Sequence, residues 1–396
     1  MKIALVDSTS SRRLGGTELR VEELAQGLAL RGAQVDVLIH GSFAGPHRSS
    51  TPEGVSVTRF PSLVGRPRQP RELNLMETLQ LMARSHDLVD AHTSQLPVAL
   101  AVSHSRFRHR VFTPGFGIKR LITGPRAGIM RNLVHAASQT VCASEVERSL
   151  LCRKFPVVAD QTCVITSAVE YKTIQAAIPF LVPGHVILAV GRLEKCARID
   201  RAIATLPSLG PAFRLVILGE GPARNRLRAF AVDLQISSRV TFVGTVSDSD
   251  LHRWVRTARV VVALSDGHDT VPALLAAIAA SVPVVASNTP AHREALELGH
   301  SGRLALVPAD GSPLRLAECI AAASELEVPA ATIHLPTREA VIDRTWDLYQ
   351  RLAFEPRREL RHRQRRSRMG HGAARDVPAP VGSPPVDTVG QNKLAF

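Results

Sequence analysis

Aromatic residues make up only 4% of this 396-residue chain, which argues against a base-stacking platform for single-stranded nucleic acid. No window holds 18 unbroken apolar residues, so a membrane-spanning helix is not expected. The five cysteines, Cys142, Cys152, Cys163, Cys196 and Cys319, form no CxxC pair and no His/Cys metal spacing, and they read as reduced intracellular thiols. The opening MKIALVDSTS lacks a positive region followed by a long apolar core, so no secretory signal is expected and the cytoplasm is the expected compartment. A GxGxxG turn is missing too. The first strand runs into STSSRRLGG, too long and wrongly spaced for an NAD site.

What is present is a basic, apolar-rich chain. Hydrophobic residues reach 45% and the formal charge is +14. Arg outnumbers Lys 43 to 6, the pattern of a GC-rich coding bias, and the nine basic and four acidic residues from Glu355 onward supply +5 of the total. The remaining excess suits steering of an anionic ligand or contact with acidic headgroups. At about 150 residues per domain, the length fits two domains and an extra segment.

Strand and helix patterns alternate along the chain. Lys2 to Asp7, a helix Gly15 to Arg31 and Ala33 to His40 make a βαβ unit. Val55 to Phe60, a helix around Glu72 to Arg84, Leu88 to Ala91, Val111 to Thr113, Gln139 to Ala143 and a helix around Glu145 to Lys154 continue it. FLVPGH, Phe180 to His185, carries Pro183-Gly184 and reads as a connector. A second series then runs from Val186 to Val190 through Arg214 to Leu218 and Val240 to Val243, with helices near Arg198 to Leu206, Ala223 to Leu234 and Ser249 to Ala258. The expected fold is α/β with two Rossmann-like, doubly wound halves facing a cleft: residues 1–180, residues 181–336 and a terminal helix over 337–354. The Arg- and Pro-rich segment 355–396 is expected to be disordered.

The most informative stretch is VVVALSDGHDTVPALLAAIAASVPVVAS, Val260 to Ser287. It reads as a strand, a polar loop, an apolar helix and a second strand entered through Pro283. A loop at the carboxyl end of a strand puts the next helix's unpaired N–H groups where a diphosphate can sit. The stretch resembles family-4 glycosyltransferases of the two-domain GT-B architecture, on Ser265 and the run Ala277 to Val285. Where that family carries its two acidic residues, this chain has His268 and Ala276.

The resemblance extends over residues 1 to 353 and implies roles for particular side chains. Gly15 and Gly16 in LGGTELRVEELAQGL stand where the family brings backbone against the donor diphosphate. Arg192 and Lys195 in AVGRLEKCARIDRAI stand where it offsets the charge of the departing nucleotide, the task for which an Arg fork and a Lys point charge are suited. Gly219 and Gly244 fall in turns near the nucleotide, while Ser265, His268 and Asp269 fall in the sugar loop and Glu294 fits the acidic residue after the last nucleotide-side strand. On the acceptor side His92 ends a strand facing the cleft, and Pro114 stands where the family has a His. Ser144 reads as a helix N-cap.

The resemblance therefore implies a retaining transferase that moves a sugar from a nucleotide-sugar co-substrate to a hydroxyl, with no cofactor and no metal. Ala276 leaves no side chain to accept from ribose hydroxyls, which favours a dTDP-sugar over a UDP-sugar, and with it a small hydroxylated acceptor such as an antibiotic precursor. Three other readings stay open: a non-catalytic nucleotide-sugar-binding partner subunit, a transferase for cell-envelope glycan or lipid, and a sugar-nucleotide epimerase.

Overall fold

A computed structural model describes residues 1–8, 21–41, 47–61, 75–92, 96–114, 122, 127–265, 271–298, 304–308, 311–326 and 335–354. The first half carries β1 (Lys2–Ser8), β2 (Gln34–Gly41), β3 (His47–Ser50), β4 (Ser56–Pro61), β5 (Leu88–His92), β6 (His109–Thr113), β7 (Gln139–Cys142) and β8 (Thr162–Val164). They form one sheet in the order β3-β4-β2-β1-β5-β6-β7-β8, parallel except for the β3–β4 pair. The second half carries β9 (His185–Val190), β10 (Phe213–Leu218), β11 (Val240–Gly244), β12 (Val260–Ala263), β13 (Val284–Ser287) and β14 (Leu304–Val307). Their order is β11-β10-β9-β12-β13-β14, parallel throughout.

Short runs of Val, Ile and Leu build these parallel strands because both faces are covered by helices. Every residue of β12 and β13 is buried. Each sheet reverses its winding once, between β1 and β5 and between β9 and β12, and an open α/β sheet leaves its ligand crevice beyond the carboxyl ends of its strands at that point. The connector ends at Gly184, whose φ is +85° and where a Cβ would lie 2.2 Å from the Ala212 carbonyl oxygen, so only glycine fits.

The helix Arg338–Phe354 crosses back to the first half. Its Ile342, Leu348, Tyr349 and Leu352 share an apolar cluster with Ile3, Leu5, Leu24 and Leu28. Against the helix Val21–Leu30, a Cβ on Gly27 would come 2.5 Å from Ile342 Cδ1, so glycine sets how closely the two helices approach. Arg31 closes the contact by donating to Asp343 at 2.6 Å and Glu339 at 3.3 Å.

Expected and observed elements differ where the pattern is weak. The hairpin strand β3 (HRSS) is polar and short, and the helix Leu96–His104 (LPVALAVSH) has no polar face to reveal its period. The segment 355–396 lies outside the described residues.

Candidate functional site

Three loops at the carboxyl edge of the second sheet are stitched together by backbone. Gly191 N–H donates to Leu218 at 3.0 Å, Leu193 N–H to Glu220 at 3.0 Å and Gly219 N–H to Gly244 at 2.8 Å. Gly191, Gly219 and Gly244 have φ of 152°, 138° and 92°, a region that side-chain-bearing residues avoid. A Cβ on Gly221 would sit 2.4 Å from the Leu193 carbonyl oxygen. These glycines thus let the turns after β9, β10 and β11 lie against one another at the carboxyl end of the strands.

Arg192 and Lys195 ride on this platform, directly after β9 and beside the switch point. The Arg192 side chain is 62% exposed, and its Nε lies 2.5 Å from Glu194 Oε1. Lys195 is exposed at the start of a short 3-10 turn, Lys195–Ala197. Glu194 is thus the carboxylate partner of Arg192, one that an incoming diphosphate can displace at the surface. Glu220 pairs instead with Arg224.

The loop after β12 begins at Ser265, which is fully buried. His268 and Asp269, like Gly15 and Gly16, lie outside the described residues. Ala276 is fully buried within the apolar cluster of the helix Val271–Ala279. An alanine there offers no carboxylate to a ribose.

At the carboxyl edge of the first sheet, β5 ends in Asp90 and His92. Residues two apart on a strand share a face, and His92 Nε2 lies 3.1 Å from Asp90 Oδ2. Thr113, the register partner of His92 on β6, donates its hydroxyl to Asp90 Oδ1 at 3.0 Å. Tyr349 Oη, from the crossing helix, donates to Asp90 Oδ2 at 2.5 Å. Burial and the Asp90 carboxylate hold the Tyr349 phenol well above its ordinary pKa, so it stays a donor. Pro114, next in the chain, is buried and offers no N–H.

Glu294 has a different position from the one its sequence place suggests. Its two carboxylate oxygens accept from the backbone N–H of Glu145 at 2.6 Å and of Val146 at 2.8 Å, at the start of the helix Glu145–Lys154 in the other half. Ser144 caps the same helix by accepting from Glu147 N–H at 3.1 Å, and Glu147 returns a bond to Ala143 N–H at 3.0 Å. The first N–H groups of that helix are therefore satisfied by protein, and Glu294 is a tie between the halves.

Sequence comparison agrees with this architecture. Residues 14–172 match the profile of "Glycosyltransferase Family 4" and residues 184–325 that of "Glycosyl transferases group 1". The chain is a glycosyltransferase of the GT-B fold. A D-inositol 3-phosphate glycosyltransferase of Acidothermus cellulolyticus is 25% identical, over 73% of this chain and 74% of that one. Among solved structures, a sucrose-phosphate synthase from Thermosynechococcus elongatus superposes with TM-score 0.65 at 19% identity, over 89% of this chain and 99% of that one. Anabaena HepE in complex with UDP and glucose superposes with TM-score 0.62 at 17% identity, over 94% of this chain and all of that one (100%).

Sequence reading of this glycosyltransferase missed the roles of Glu194, Asp90 and Tyr349. The pairing of Asp90 with Tyr349 spans 259 positions and leaves no local signature. Asp248 and Asp250 have an Asp-x-Asp spacing, but they lie in the first turn of the helix Asp248–Thr257, where Ser247 accepts from Asp250 N–H at 3.1 Å and completes an N-cap. Among the described residues no group of three His, Cys, Asp or Glu side chains is placed to hold a metal.

Proposed function

We propose that the glycosyltransferase takes a nucleoside-diphosphate sugar at the carboxyl edge of its second sheet and passes the sugar, with retention, to a small hydroxylated acceptor at the first. The observation that carries this reading is the glycine-built platform holding Arg192 and Lys195 beside the β9/β12 switch point. As the sugar–phosphate bond breaks, the electron pair stays with the nucleoside diphosphate, and the two cations there stabilise the developing charge. No metal and no cofactor enter the reaction. We place the reaction in the cytoplasm and, from the small-acceptor reading, in secondary metabolism such as antibiotic assembly.

Base and ribose selectivity follow from position 276. With alanine buried there, removal of the ribose 2′-hydroxyl leaves no protein group unpaired, and such loss is what makes an analogue bind poorly. dTDP-sugars are thus expected to react at least as fast as matched UDP-sugars. A panel of both, assayed with a chelator present for nucleoside-diphosphate release and for the anomeric configuration of the product, tests the reading. Preference for UDP above about a hundredfold contradicts it, because a pocket without a built hydroxyl contact discriminates by no more than that.

A non-catalytic binding role is the alternative, and the same assay separates the two. A partner subunit would show nucleotide binding in the same assay with no sugar transferred.

A further inference from the structure

We infer that Asp90 and Tyr349 are positioning residues that fix the His92 ring against the acceptor hydroxyl, an inference that rests on the transferase reading above. Asp90 is 1% exposed and receives two hydroxyl donors, Tyr349 at 2.5 Å and Thr113 at 3.0 Å, with His92 Nε2 at 3.1 Å. A buried carboxylate needs such partners to stay charged. Two hydroxyls complete a structural site for it. The third member is of another kind, an imidazole 20% exposed at the end of the strand beside the β1/β5 switch point.

With Nε2 3.1 Å from the carboxylate, at ion-pair distance and outside hydrogen-bond geometry, the Asp90 charge favours a proton on Nε2 and leaves Nδ1 as the accepting atom of the ring. An acceptor hydroxyl then has a fixed partner for its hydrogen. The helix that carries Tyr349 comes from the end of the described chain, so docking of that helix and orientation of His92 are one event. Other titratable groups near this network are Asp7, the register partner of His92 on β1, and Cys163 on β8, whose thiol burial pushes up and the Asp90 charge raises further.

Side-chain 15N–1H NMR of the histidines tests this without needing turnover, with His92→Gln assigning the resonance. The wild-type ring is expected as the Nε2–H tautomer. Asp90→Asn removes the facing charge and lowers the His92 titration midpoint by about one pH unit. Tyr349→Phe strips a donor from the carboxylate, concentrates its charge on His92 and moves the midpoint upward. Thr113→Val, nearly the same shape, moves it upward as well, and stands in if Tyr349→Phe does not fold. Opposite directions for the carboxylate and the hydroxyls are the signature of positioning. Midpoints that stay put, or all move together, or a wild-type ring protonated on Nδ1, overturn the inference. A nucleoside-diphosphate titration of the same samples separates the two claims, since unchanged affinity beside an unmoved midpoint sinks only this inference, while absent affinity sinks the transferase reading.

Discussion

Arg192→Ala is expected to lower kcat/KM for sugar transfer by about 10²- to 10³-fold, the usual cost of removing one preorganised group aimed at transition-state charge. Arg192 contributes through a fixed fork of donors, so Arg192→Lys should recover only part of the loss. The fall should appear chiefly in kcat, because charge on the diphosphate grows as the bond breaks. Stability should change by no more than about 0.5 kcal/mol, since the side chain is 62% exposed and its neighbour is an exposed-side ion pair. Steady-state kinetics with a thermal melt of the same preparation separates these quantities. A kcat/KM within threefold of wild type would remove Arg192 from the mechanism.

Acid is expected to unfold the chain through its buried histidines. His109 is fully buried, and burial together with Arg108 and Arg110 pulls its pKa from 6.5 down to about 4. Above pH 6.5 the ring is neutral in both folded and unfolded chains, so it adds no pH dependence there. As the pH falls from 6.5 towards 4, only the unfolded chain takes up the proton, and stability is lost through that window. From His109 alone the loss approaches about 3 kcal/mol. His40, His252 and His292 are lowered by burial as well and act in the same direction. Urea unfolding between pH 7.5 and 4.5 should therefore show a falling midpoint, and His109→Gln should flatten the fall. An equal slope in the variant would assign the acid sensitivity elsewhere.

Much of the fold was legible because parallel α/β proteins write their periodicity strongly. The strand Val260–Ala263, the helix that follows it and the strand Val284–Ser287 all lie within the stretch whose pattern reads most clearly. The helix Glu145–Lys154, capped by Ser144, has the ends read from sequence, while the helix capped by Ser247 begins one residue before the expected Ser249. Strand β3 and the helix Leu96–His104 were missed for opposite reasons, one being too polar and the other too uniformly apolar for a period to show.

The site was legible only where local spacing encodes it. Arg192 and the glycines follow strands directly, so their place at a carboxyl edge can be read from order alone. Glu294 could not be placed in this way. Its sequence position is nucleotide-side, yet its carboxylate ties to Glu145 and Val146 across the two halves, a choice made by packing between domains. The same holds for Asp90, whose partners are a neighbouring strand and a helix from the end of the described chain. Ala276 shows the converse, where the absence of a carboxylate was visible in sequence and the structure adds that the position is fully buried.

The most direct test of the glycine platform is a titration of 15N-labelled protein with dTDP and with UDP, followed at the glycine amides. Gly191, Gly219, Gly221 and Gly244 are expected to shift together with one saturating affinity, and Arg192→Ala is expected to weaken that affinity while the same four amides still respond. Saturable binding that leaves those four amides in place, or no binding of either nucleotide, would contradict a donor site at the carboxyl edge of the second sheet.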